Sequence, residues 1–368
     1  MDREIVATAI RRIPRLGPRR IMTLMETEPD LERLWNLGPE GLSIAAGGEG
    51  IFHYNASALL RDAESEVDAA HRLGARIVTI SDAEYPRSLR AVFDPPVVLY
   101  IMGEIAEIDA GAVAIVGARR STPYGESRAR ELSRDLAVAG LTIVSGLARG
   151  IDSTAHAAAL DAGGRTIAVL GTGIDILYPN ESAELGRRIA ASGAGALVSE
   201  FPPGTPPIAS NFPQRNRIIA GLSRAVVVVE ASERSGSLIT ARDALEYGRE
   251  VLAVPGPVGP SSRGTHKLIR DGAEIAETAD DVLRAIRAPR ASGEHPPDRE
   301  PSSLPPALPP GVGPEGYAIL RVLGAGEKQI DAIFDEIDAP APVVSASLMR
   351  LEIAGFIRQR PGKLFSAL

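Results

Sequence analysis

Five loops in the middle of this chain lie where a ligand could be held, and four of them pair glycine with Ser, Thr or Arg in a way that suits the binding of phosphate. Each follows a short apolar run. Gly117-Ala118-Arg119-Arg120-Ser121-Thr122 comes after 113–116, and Ser145-Gly146-Leu147-Ala148-Arg149-Gly150-Ile151-Asp152 after 141–144. Gly171-Thr172-Gly173-Ile174-Asp175, with Tyr178-Pro179 beyond it, comes after 166–170. Glu200-Phe201-Pro202-Pro203-Gly204 comes after 196–199 and leads to Asn211-Phe212-Pro213-Gln214-Arg215-Asn216-Arg217. Glu230-Ala231-Ser232 comes after 225–229 and leads to Ser235-Gly236-Ser237 and Thr240. Glycine lets an anion approach the backbone. Free N–H groups at helix starts favour negative charge, and the arginine fork matches phosphate bidentately.

The candidate phosphate subsites are therefore Gly117, Arg119 and Ser121 in the first loop, and Ser145, Gly146 and Arg149 in the second. Thr172 and Gly173 follow in the third. Asn211, Arg215, Asn216 and Arg217 supply the fourth, and Ser235, Gly236, Ser237 and Thr240 the fifth. Phe212 stands beside Asn and Arg, where an aromatic ring can stack on a nucleobase; it suits a core position under its loop equally well. His156 reads as a packed residue and not as a base. No Gly-x-Gly-x-x-Gly follows a strand and no Gly-x-x-x-x-Gly-Lys-Ser/Thr is present, so dinucleotide and P-loop sites are not expected. No Ser–His–Asp set or metal cluster can be assembled from spacing. A binding protein without cofactor fits these residues better than an enzyme does.

These loops must be carried by something that aligns them. From 76 to 288, β-rich runs alternate with helical stretches, which predicts a Rossmann-like, doubly wound, mainly parallel α/β sheet. Ligands in such a sheet bind beyond the carboxyl ends of the strands, where all five loops fall. Residues 1–75 show helical periodicity around Ile13-Pro14-Arg15-Leu16-Gly17-Pro18-Arg19, the pattern of a small SAM/helix-hairpin-helix-like domain. Residues 289–312 hold eight prolines in twenty-four positions and predict an extended linker. Three short helices and a hairpin over 313–368 predict a winged-helix domain. That tail carries six Lys/Arg against seven Asp/Glu, a poor footprint for duplex DNA, so it is expected to dock protein or to regulate.

Composition sets the limits. A net charge of −7 confines any nucleic-acid site to a local cluster of arginine. The absence of cysteine excludes disulfides and thiolate chemistry. With no apolar run near the length of a membrane span and no apolar signal core at the amino terminus, a cytoplasmic protein is expected.

The order of the loops, with Ala114-Ile115-Val116 before the first and Ile218-Ile219-Ala220-Gly221-Leu222-Ser223 after the fourth, resembles the DprA/Smf family of DNA-processing proteins. The resemblance covers about 80–288, with the flanking domains less specific. It implies a protein without known enzymatic activity that coats incoming single-stranded DNA during natural transformation, shields it, and loads RecA. It also implies a homodimer formed through the Rossmann-like domain. By motif matching, Arg119 is the central phosphate contact, and Arg215, Asn216 and Arg217 form a second DNA-facing segment behind Phe212. One position departs from the pattern: Ile208 stands where relatives usually carry Lys or Arg. The alternative is a nucleotide phosphoribohydrolase of the lysine-decarboxylase-like fold, but Glu233-Arg234-Ser235-Gly236-Ser237-Leu238 lacks that family's Pro-Gly-Gly-x-Gly-Thr loop. A winged-helix regulator with a nucleotide-sensing core is a third possibility.

Overall fold

Short Val/Ile runs flanked by glycine become strands because they are apolar on both faces, as strands covered by helices require. The computed structural model describes residues 1–48, 52–287, 314–323, 328–337, 339–353, 356–360 and 364–367. The expected 289–312 linker lies outside the described residues, as does the Pro361-Gly362 turn of the hairpin. Two units, Met1–Arg290 and Ala291–Leu368, separate.

In the first unit, the strands among the described residues are β1 (Arg76–Thr79), β2 (Val98–Gly103), β3 (Val113–Val116), β4 (Ile143–Ser145), β5 (Thr166–Val169), β6 (Gly195–Ser199), β7 (Ala225–Val228), β8 (Glu250–Ala253) and β9 (Glu274–Ile275). They form one sheet in the order β1-β2-β6-β5-β4-β3-β7-β8-β9. β2 runs antiparallel to both β1 and β6. From β6 to β9 every neighbouring pair is parallel. The mainly parallel sheet read from the sequence is thus present. β9 went unseen because two exposed residues on an edge carry no apolar run.

Five helices precede the sheet: α1 (Arg3–Arg11), α2 (Pro18–Thr27), α3 (Leu31–Asn36), α4 (Gly38–Ala45) and α5 (Ala56–Arg72). Their Val6, Ile10 and Leu34 join Tyr100, Val198 and Ile219 in one apolar core on one face of the sheet. Glu66 of α5, almost wholly buried, is held by Arg11, Arg12 and the Tyr100 hydroxyl. The crossover and flanking helices are α6 (Arg87–Arg90), α7 (Pro123–Val138), α8 (Ile151–Asp161), α9 (Ala183–Ala191), α10 (Asn211–Leu222), α11 (Ser237–Glu246), α12 (Arg263–Arg270) and α13 (Ala279–Arg287). Ile115, Leu132, Leu136, Val227 and Leu252 build a second core on the other face. The site depends on where these helices start. Thr122 caps α7 by accepting from Gly125 N–H, with Pro123 pre-setting the first turn. Gly150 opens α8 at φ +75°, and a Cβ there would lie 2.4 Å from the Ala118 carbonyl oxygen, so the β3 and β4 loops touch only because it is glycine.

In the second unit, α14 (Pro314–Leu323), α15 (Ile330–Glu336) and α16 (Ala341–Ile353) pack with β10 (Lys328–Gln329), β11 (Ile357–Arg360) and β12 (Leu364–Ala367). The strands order β10-β12-β11. Ile319, Ile333, Leu348, Leu351, Ile357 and Phe365 form its core. Three helices and an antiparallel hairpin make this a winged-helix domain.

Candidate nucleic-acid interface

β4, β5 and β6 extend from one side of β3, whereas β7, β8 and β9 extend from the other. The chain changes direction between β3 and β7, and the loops that leave these two strands part. A crevice at such a switch point is where open α/β sheets bind ligands. Here it is an open cleft of about 670 Å³, lined from the first loop by Gly117 and Arg119, from α10 by Phe212, and from the fifth loop by Ser235. A narrower groove of about 90 Å³ adjoins it along the second and third loops and shares Arg119, Tyr178 and Phe212 with it.

Three arginines face this space with their charge available. Arg119 and Arg120 are exposed and have no carboxylate within ion-pair reach among the described residues. The Arg119 guanidinium carbon lies 5.0 Å from the centre of the Phe212 ring. Arg149, in the narrower groove, pairs with Glu181 at 2.7 Å, but both side chains are more than half exposed. Such a pair contributes about 1 kcal/mol or less and yields readily to a phosphate. Phe212 is half-buried on the first turn of α10, over Gly171, where a Cβ would lie 2.8 Å from the ring. Tyr178 meets it with ring centres 5.7 Å apart at 47°. Cations beside a two-ring aromatic step form a surface that suits a strand with unstacked bases.

The fifth loop presents hydroxyls and open backbone. Ser235 and Ser237 share a hydrogen bond at 2.8 Å, and Asn216 Nδ2 donates to the Gly236 carbonyl at 3.3 Å. Thr240, one turn into α11, also lines the cleft. Among the described residues nothing lies within 4 Å of where a Cβ at Gly236 would stand, which leaves room there for a ligand. The other glycines serve packing. A Cβ at Gly117 would lie 2.6 Å from Ile151, at Gly146 2.6 Å from Arg215, and at Gly173 2.6 Å from the Pro202 carbonyl oxygen.

Two arginines require correction. Arg215 is buried and its Nη1 donates to the carbonyls of Gly146 (2.9 Å) and Val169, tying the second loop to the end of β5. Burial lowers its pKa to about 10, even with Asp152 nearby to favour the charge. It lines the cleft, but the donors of Nη1 are spent. Arg217 points away from the cleft, buried in an ion pair with Glu200 and 4.0 Å from Asp94. Spacing put both among the phosphate ligands because it cannot show which arginines are already paired.

Several other candidates prove to hold the loops in place and not to line the cleft. Ser145 is buried and donates to the Ile115 carbonyl at 2.6 Å. Thr172 donates to the Ile176 carbonyl at 2.6 Å, closing the Gly173 turn. Ser121 donates to Glu126 at 2.8 Å. Asn211 is largely buried at the start of α10. His156 is fully buried; Thr166 gives its hydroxyl proton to Ile143, so the 2.7 Å contact makes His156 Nδ1 the donor to Thr166 Oγ1. Burial first, and the Arg215 charge second, lower its pKa to about 3. Arg120 and Tyr178 were missed as cleft residues although both lie in the loops singled out, one beside Arg119 and the other in the stretch following β5.

Comparison with known proteins places this geometry. Residues 76–287 match the family described as DNA recombination-mediator protein A, and residues 303–363 match the DprA winged helix domain. Protein Smf of Escherichia coli K12 is 44% identical over 293 residues, covering 77% of this chain and 75% of the relative. DNA processing protein DprA of Bacillus subtilis 168 is 44% identical over 221 residues, 59% of this chain and 74% of that one. Among solved structures, DNA processing protein A of Streptococcus pneumoniae superposes with a TM-score of 0.61 at 34% identity, over 76% of this chain and 95% of that chain. DNA processing protein A of Helicobacter pylori, whose structure concerns its single-stranded DNA binding mode, gives a TM-score of 0.52 at 31% identity, over 58% and 96%.

Proposed function

Since the chain belongs to the DNA recombination-mediator protein A (DprA) family, we propose that it binds single-stranded DNA in the cleft between the β3 and β7 loops and delivers it to the recombinase RecA. The observation that carries this reading is Arg119 and Arg120, without a carboxylate partner among the described residues, set beside the Phe212–Tyr178 step in one open cleft. Phosphates lie against Arg119, Arg120 and Arg149, and bases turn toward the two rings. Stacking on an aromatic face is indifferent to base identity, so binding has little sequence preference. The relative from Helicobacter pylori, studied for its single-strand binding mode, supports the same class of ligand. The family's description as a recombination mediator supports delivery to a recombinase. A second copy of the chain, docked through the Rossmann-like part, completes the functional unit we propose, acting in the cytoplasm on incoming DNA. No described helix is long and apolar enough to cross a membrane.

No catalytic step is assigned to this site. His156 is buried with a strongly lowered pKa and takes no part in lining the cleft, and the Ser235 and Ser237 hydroxyls bond to each other. The test is a titration of single-stranded against duplex DNA over a salt series. A groove that needs splayed bases favours the single strand by at least about tenfold, roughly 1.4 kcal/mol. Three phosphate contacts give a slope of log affinity against log salt near about −2. Equal affinity for the two forms overturns the reading.

A further inference from the structure

The hairpin between α1 and α2 gathers positive charge that the fold does not use. Arg15, Arg19 and Arg20 are exposed there, and none has a carboxylate within ion-pair reach among the described residues. In the same group of helices Arg3 pairs with Asp82, Arg11 and Arg12 with Glu66, and Arg33 with Glu28. α2 starts at Gly17 without a side-chain cap, and its first turn holds Arg19 and Arg20 and no acidic residue. Cations at a helix N-terminus oppose the dipole, so an anion bound there relieves the helix. The hairpin is also tied to an aromatic pair. The Arg19 guanidinium carbon lies 4.1 Å from the centre of the Phe93 ring, which is 39% exposed. Phe93 in turn meets Tyr247 edge-on, with ring centres 5.1 Å apart. The same trio of arginine, phenylalanine and tyrosine lines the cleft, as Arg119, Phe212 and Tyr178.

We propose that this hairpin is a second phosphate-binding station for the single strand held in the cleft, with Arg15, Arg19 and Arg20 taking the backbone of nucleotides that leave it. The inference rests on the single-strand reading above and deepens it. Helix α11 links the two places: Ser237 and Thr240 near its start line the cleft, and Tyr247, directly after its last residue, touches Phe93. Its ten residues span about 15 Å. At about 3.4 Å per nucleotide that is roughly four or five nucleotides, and fewer if the strand is stretched. Asp94, next to Phe93 in the chain, accepts the Tyr247 hydroxyl and lies 4.0 Å from Arg217, so its charge is engaged on the inner side. Phe93 holds Arg19 in place, which lowers the side-chain entropy lost when a phosphate binds. The repeated trio and the link through α11 favour a nucleic-acid backbone here over an acidic protein. Phosphate contacts carry no sequence information, so the station lengthens the footprint without adding a base preference.

The test compares thymidine oligomers of about five and about fifteen nucleotides, the shorter filling the cleft alone and the longer reaching the hairpin as well. In the unmodified protein the short strand keeps the salt slope of about −2 expected of the cleft. The long strand steepens it to about −4, since three added contacts contribute about 0.7 each. The triple variant Arg15→Ala, Arg19→Ala, Arg20→Ala returns the long strand to the short-strand slope and weakens it roughly tenfold or more, while the short strand binds as before. Equal slopes for the two lengths in the unmodified protein overturn the proposal. So does a folded triple variant whose long-strand affinity and slope are unchanged. The first comparison needs no variant and stands even if the substitutions disturb α2. Arg119→Ala separates this inference from the reading beneath it. If Arg119→Ala weakens both lengths while the triple variant changes neither, the cleft reading holds and only the hairpin station falls. If Arg119→Ala weakens neither, the cleft reading itself has failed.

Discussion

Replacing Arg119 and Arg217 by alanine, one at a time, separates phosphate binding from support of the fold. Arg119 is exposed and has no carboxylate partner among the described residues, and its guanidinium carbon lies 5.0 Å from the centre of the Phe212 ring. Its loss costs little stability, because exposed side chains outside special features change stability by about 0.5 kcal/mol or less. In binding, it removes one of three proposed phosphate contacts. The salt slope then flattens by about 0.7, from about −2 toward −1.4, and affinity falls roughly tenfold or more at moderate salt. Arg217 gives the opposite pattern. Its side chain and that of Glu200 are 10% and 8% exposed, so removing the cation strands a buried carboxylate. That costs roughly 3–5 kcal/mol of stability, while the salt slope stays as it was. Burial already pushes the Glu200 carboxyl up against the pull of Arg217, so this pair has little reserve. Fluorescence anisotropy at four or five salt concentrations, with urea melts of the same preparations, reads both quantities. A stable, folded Arg119→Ala protein with an unchanged slope refutes the placement of DNA at this cleft. A flattened slope in a fully stable Arg217→Ala protein refutes the argument from pairing.

Two further predictions rest on other parts of the chain. A protein ending near residue 289 is expected to keep its single-strand affinity within about tenfold, because residues 313–368 carry more acidic than basic side chains; a larger loss in the same titration places the winged helix in the DNA site. His156 has a pKa of about 3 in the fold against about 6.5 when unfolded, so the unfolded chain binds the extra proton between these values. Its contribution to stability is therefore full above about pH 6.5 and is lost as pH falls toward 3, at up to ~1.4 kcal/mol per pH unit. Between about pH 6.5 and 5, before carboxylates dominate, His156→Gln should show a shallower fall in unfolding free energy; parallel curves for the two proteins count against this assignment.

Much of the architecture can be read in the sequence because it follows from local pattern. The runs at 113–116 and 225–228 are apolar throughout, and a strand buried on both faces needs nothing else to declare itself. Thr122-Pro123 marks the start of α7 in the same local way. The edge at β9 and the short helix α6 carry no such signal, since their place comes from neighbours distant in sequence. The site divides along the same line. Arg119 could be found because it lies in a strand-to-helix loop where the backbone itself suits an anion. The fates of Arg215 and Arg217 could not, because they depend on carbonyls 69 and 46 residues away and on a carboxylate 17 residues away. The glycines mislead for a related reason. Their spacing suits phosphate approach, but at Gly117 and Gly146 the space left free is taken by Ile151 and Arg215.

The opposition between a net charge of −7 and an anionic ligand resolves at the scale of the cleft. At physiological salt the Debye length is about 8 Å, so carboxylates on remote surfaces are largely screened from a phosphate at Arg119. The carboxylates that matter are those in the cleft, Asp152 and Glu230. Asp152 accepts the backbone N–H groups of Gly146 at 3.2 Å and Ala148 at 3.4 Å, and Arg215 lies close enough to oppose the upward push of burial on its pKa. Arg215 thus contributes to anion binding although it bonds no phosphate in this reading: it offsets Asp152, so that of the two cleft carboxylates only Glu230 opposes the charge of Arg119 and Arg120. At low salt the screening fails, and the whole acidic surface opposes the approach of DNA. Association then slows for a reason unrelated to the site. Salt slopes taken below about 50 mM mix the two effects, whereas the range from about 100 to 300 mM isolates the contacts made in the cleft.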